Sequence, residues 1–186
     1  WSSDVCSSDL LILIFGLFAI NTKTSSANSI DFQKTIESHK LIGLPEIKSL
    51  NLTGEGQTIV FIDDGVQIDH PYLNGVVVDG QCTSREVCGS EYMNSGVKSG
   101  RPHRGDGAHG SMVAGIIAGQ ANNSAPGGIA PKAKLISIDN NSGQGDGLIR
   151  AMDWILSVQK KHNIVALSAS IGAPNFGGVR SEEHTS

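Results

Sequence analysis

No apolar run in this chain is long enough to cross a bilayer: the longest extends only from Leu10 to Ile20, and a spanning helix needs about 20 such residues. Basic residues are not in excess. Lys and Arg number 14 against 18 Asp and Glu, a net charge of −4, so nothing suggests a nucleic-acid or acidic-substrate partner. Metal-ligand spacing is missing too: His39, His70, His103 and His162 are scattered singly and read as surface or internally satisfied side chains. No dinucleotide loop is present, because Gly54-Glu55-Gly56 precedes an apolar run instead of following it. These absences predict no cofactor, no resident metal and no nucleic-acid partner. Cysteine is scarce as well, with three residues.

The two ends read as foreign to the protein. A DNA sequence encoding Trp1 to Leu10 has a reverse complement that encodes Arg180 to Ser186. Reverse-complement coding at opposite ends is what a sequencing adapter ligated to both ends of a short insert leaves behind. Residues 1–10 and 180–186 are therefore set aside as adapter-derived, as expression scars are. The remainder holds 14 acidic and 13 basic residues, a net charge of about −1. Its cysteines are Cys82 and Cys88, an even pair.

Two short motifs dominate what remains. Ile62-Asp63-Asp64-Gly65 closes the apolar run Thr58 to Ile62, a pattern expected of a strand covered on both faces. His109-Gly110-Ser111-Met112-Val113-Ala114-Gly115 opens a small-residue helix over 111–118. A second strand is predicted over 133–138 and a third over 164–167. Leu148, Met152, Ile155 and Leu156 recur at helical spacing, so residues 146–161 form an amphipathic helix. Strands alternating with helices imply an α/β fold with a parallel, doubly wound sheet and active residues at the carboxyl ends of strands. An Asp and a His brought together at such an end supply the orienting and general-base parts of a nucleophilic triad.

The stretch Gly54 to Leu73 resembles the aspartate motif of subtilisin-like serine proteases, and His109 to Gly119 resembles their histidine motif. Ser142-Gly143-Gln144, Trp154 and Ser168-Ala169-Ser170-Ile171-Gly172 are similar to the family's substrate-edge segment, following helix and Ser-Leu-Gly segment. The resemblance runs from about Leu52 to Pro174. It implies the N-terminal half of a peptidase domain over 54–179, with Asp63 and His109 catalytic. Asn141, Ser142 and Gly143 on one side, and Ser170, Ile171 and Gly172 on the other, would clasp an extended polypeptide substrate by its main chain. The nucleophilic Ser and the oxyanion Asn would lie beyond the chain, so this fragment itself is expected to be inactive. Asp64 departs from the usual Ser or Thr, although the kexin-like branch also carries Asp-Asp-Gly. Ser111-Met112 replaces the common Thr-His. Tyr72 follows His70-Pro71 where many relatives place a calcium-ligating Asp, so their strong calcium site is expected to be weakened or lost.

The apolar run to Ile20, followed by Ser25-Ser26-Ala27, reads as a signal peptide over 11–27 with its start cut away, implying a secreted monomer with no other membrane contact. Residues 28–53 are polar and weakly periodic, an N-terminal arm or propeptide remnant. Export also suits a disulfide between Cys82 and Cys88. Two other readings stand beside the peptidase. Asp63-Asp64 could bind Mg²⁺ in a phosphatase-like fold, which leaves the His-Gly-Ser motif unexplained. A secreted, non-catalytic relative could keep the fold as a binding module.

Overall fold

The computed structural model describes residues 27–140 and 145–170. Four strands form one wholly parallel sheet: β1 (Thr58–Asp63), β2 (Val77–Cys82), β3 (Lys134–Asp139) and β4 (Ile164–Ala169). Their order is β2-β3-β1-β4. The helices are α1 (Ala27–Leu41), α2 (Leu44–Ser49), α3 (Arg85–Cys88), α4 (Ala108–Ala118) and α5 (Gly145–His162).

Residues of β1 alternate between two cores, because successive side chains of a strand point to opposite faces. Phe61 packs with Leu135, Leu73, Val76 and the small residues Ala114 and Ala118 of α4. Val60 and Ile62 pack with Ile136, Ile138 and the α5 residues Ala151 and Ile155. One helix therefore covers each face, and the sheet is doubly wound. Covering on both faces is what makes β1 read as an unbroken apolar run. β4 lies at the edge, and most of its residues are exposed.

β2 was not legible beforehand. Its sequence, Val-Val-Asp-Gly-Gln-Cys, breaks the apolar pattern, yet it is almost wholly buried. Gly80 is needed because a Cβ there would lie 2.6 Å from the backbone of Gly100. The weakly periodic segment before Thr53 contains α1 and α2, which meet at Gly43 in a left-handed conformation (φ 70°). Pro45 occupies the first turn of α2, where a missing N–H costs no helical hydrogen bond. Cys82 and Cys88 are joined by a disulfide with Cα atoms 6.0 Å apart, tying the end of β2 to α3.

Candidate active site

The site is built where β1 ends and α4 begins. Asp63 is the last residue of β1, directly opposite Asp139 at the end of β3. Its carboxylate is buried, with 3 % of the side chain exposed. The main-chain N–H of Asp64 donates to Asp63 Oδ1 at 2.9 Å. His109 stands in the first turn of α4, and its Nδ1 lies 2.7 Å from the same oxygen. Its imidazole is 56 % exposed, and among the described residues Nε2 is unengaged. The bond to Asp63 and its negative charge hold the His109 pKa above the usual 6.5, outweighing desolvation, with Asp64 adding a smaller push in the same direction. Asp63 Oδ2 is buried with no hydrogen-bond partner among the described residues.

Asp64 has a definite role in this geometry. Its Oδ1 accepts the Gly110 N–H at 2.7 Å. The first turn of a helix has N–H groups without intrahelical acceptors, and Gly107, the capping residue here, has no side chain to offer. Asp64 supplies one acceptor across the fold, and Asp106 Oδ1 supplies another to Ala108 N–H at 3.0 Å. Burial raises the Asp64 pKa, and the nearby Asp63 charge pushes the same way, against the Gly110 hydrogen bond.

Close backbone approach makes the junction possible. A Cβ on Gly110 would come within 2.1 Å of the Gly65 carbonyl oxygen, and one on Gly65 (φ 83°) within 2.5 Å of Pro102 N. Ser111 adds a further tie: its Oγ accepts the Gln67 N–H at 2.9 Å and donates to the Gly107 carbonyl at 2.6 Å. Met112, next to it, is exposed.

Of the substrate-segment residues expected from sequence, Ser170 is exposed at the end of β4. Asn141, Ser142, Gly143, Ile171 and Gly172 lie outside the described residues. His103, read from sequence as an isolated histidine, is held between two carboxylates: Nδ1 is 2.9 Å from Asp139 Oδ2, and Nε2 is 3.0 Å from Glu91 Oε2. No local spacing could reveal this, since its partners are 36 and 12 residues away.

Among the described residues, two clusters bring three potential metal donors together: Asp63, Asp64 and His109, and Cys82, His103 and Asp139. In the first, His109 Nδ1 and one Asp64 oxygen are already committed to hydrogen bonds. In the second, Cys82 is oxidised and offers no thiolate.

The description of the subtilase family matches residues 54–185, most of the chain and all of the site. This chain belongs to that family. It is 26% identical over 151 residues to the major intracellular serine protease of Bacillus subtilis, covering 78% of this chain and 43% of that protein. It is 33% identical over 138 residues to subtilisin-like protease 3 of Pseudogymnoascus destructans, covering 70% of this chain and 30% of the relative. Among solved structures, it is similar to the serine protease of Aeromonas sobria in complex with its chaperone. There the identity is 27%, the TM-score 0.48, and coverage 67% of this chain and 20% of the other. This subtilase chain thus spans less than half the length of these relatives. Among its described residues, no helix is long and apolar enough to cross a membrane.

Proposed function

We propose that the protein containing this chain is a secreted serine endopeptidase in which Asp63 orients His109 and His109 acts as the general base. The 2.7 Å contact between His109 Nδ1 and the buried Asp63 carboxylate carries this reading. A proton fixed on Nδ1 leaves Nε2 as the lone pair that takes a proton from a serine hydroxyl, and Asp63 then stabilises the imidazolium. The serine and an oxyanion donor come from the part of the protein beyond this chain. Polypeptide substrates lie between residues 141–143 and 170–172, paired through their main chain. The signal-peptide reading of residues 11–27, with its apolar run ending at Ile20, supports export, which suits the Cys82–Cys88 bridge.

The test is made on the completed protein with a serine-directed phosphonate probe. Wild type is expected to label, and His109→Ala to label at least about 10²-fold more slowly, the lower end of what positioned proton transfer contributes. Equal labelling of the two, with an unchanged circular dichroism spectrum, would overturn the assignment. Failure of the wild type to label would favour a non-catalytic binding module.

A further inference from the structure

We propose that His103 is a positioning residue: clasped between Asp139 and Glu91, it fixes the segment leading into α4 so that the His109 imidazole meets Asp63. This inference rests on the reading of Asp63 and His109 given above.

His103 is anchored three times. Its main-chain N–H donates to Asp139 Oδ2 at 2.8 Å, its Nδ1 lies 2.9 Å from the same oxygen, and its Nε2 lies 3.0 Å from Glu91. Asp139 is fully buried, and only 11 % of the His103 side chain is exposed. The anchor lies at the end of β3, beside the end of β1 that holds the site. Asp139 is in register with Asp63, and the Asn140 N–H donates to the Asp63 carbonyl at 2.9 Å.

Residues 104–106, between this anchor and α4, are exposed, but the two ends of the segment are pinned together and Gln67 Nε2 donates to the Asp106 carbonyl at 2.9 Å. Pro102 is wedged between two glycines: added Cβ atoms on Gly65 and Gly107 would come within 2.5 Å and 2.2 Å of it. Gly107 then begins α4, two residues before His109. A shift at His103 is therefore transmitted to the imidazole, and a displacement of even about 1 Å in such a group can cost about 10²-fold in rate.

The clasp depends on protonation. The groups facing His103 are Asp139 from β3 and Glu91 from the turn after α3. On its own segment are Arg101, paired with Asp69 at 2.6 Å, and Arg104. Cys82 of β2 is oxidised and does not titrate. Burial disfavours the charged ring, but the hydrogen bonds and charges of Asp139 and Glu91 outweigh it, so the pKa lies above 6.5. Below that raised pKa both ring nitrogens donate. Above it one N–H remains, and the buried carboxylate of Asp139 keeps it, because losing a donor there costs more than at exposed Glu91. The Glu91 contact is then lost, and the clasp is tight at lower pH and looser as pH rises through the His103 pKa.

Proton NMR on the completed protein tests this through the downfield Nδ1–H signal of a His109–Asp63 pair. In wild type that signal is expected, and it should broaden as pH rises through the His103 midpoint. Glu91→Gln, a change at an exposed side chain, should move both the His103 midpoint and the broadening to lower pH. His103→Ala should remove this pH response, and His103→Gln, which keeps a donor, should restore part of the low-pH signal. A wild-type signal whose pH response is identical in Glu91→Gln overturns the positioning role while leaving the catalytic reading intact. A folded wild-type protein with no downfield signal at any pH overturns the Asp63–His109 pair itself, and the inference with it.

Discussion

Asp64 shows how one carboxylate serves structure and electrostatics together. It caps α4 through Gly110 and lies close enough to His109 to raise the pKa of the imidazole. Asp64→Asn keeps an oxygen for the Gly110 N–H but removes the charge. Stability should change little, while the His109 pKa falls toward 6.5. A general base must be neutral, so the acid limb of activity in the completed protein should move to lower pH. Asp64→Ala removes the cap as well and should cost about 1 kcal/mol, the usual worth of a helix cap. Chemical denaturation and NMR titration of His109 separate these two effects. The stability linkage of His109 has a definite sign. Its folded pKa is raised, so its pairing stabilises fully below the unfolded value of about 6.5 and is lost as pH climbs through the folded value. Stability and general-base activity therefore have opposite pH preferences at this residue. The Asp63–His109 contact was legible because each residue sits in a compact motif. The roles of Asp64 and His103 were not, because they depend on partners brought close only by the fold.

At the scale of elements, β1 and β3 were readable to within a residue or two because their apolar runs reflect burial by the fold, and β4 was readable from its apolar run although most of its residues are exposed. β2 failed that test for a physical reason. Its Asp79 is buried 2.9 Å from His162 Nε2 at the end of α5, and Gly80 yields space to Gly100. Polar and flexible residues thus stand where the pattern calls for apolar ones. Gly80→Ala should destabilise by about 1–3 kcal/mol, since the new methyl meets backbone that side-chain rotation cannot move; urea denaturation checks this. The bridge that ends β2 closes a loop with a sequence separation of 6. On chain-entropy grounds a double Cys82→Ser, Cys88→Ser variant should lose about 2 kcal/mol. A loss well beyond that would mean that the bridge also holds Glu91 in place for His103.

At the scale of the molecule, the two covered faces of the sheet do not close the structure. Among the described residues, β4 presents Val165 and Leu167 to solvent at 57 % and 40 % exposure. Ile149 and Leu156 on α5, and Met112 and Ile116 on α4, are exposed as well. A parallel edge strand with apolar side chains offers unpaired N–H and C=O groups to another chain, and apolar surface spread over both helices adds to that attraction. The isolated 186-residue polypeptide should therefore self-associate at micromolar concentration and bind an apolar dye. Replacing Val165 and Leu167 by Lys should shift the population toward monomer in sedimentation velocity, because a charged edge repels a second edge. The Asp63–His109 pair lies at the carboxyl end of the neighbouring strand and should be unaffected. If the wild-type polypeptide stays monomeric at tens of micromolar, the exposed edge is not sticky.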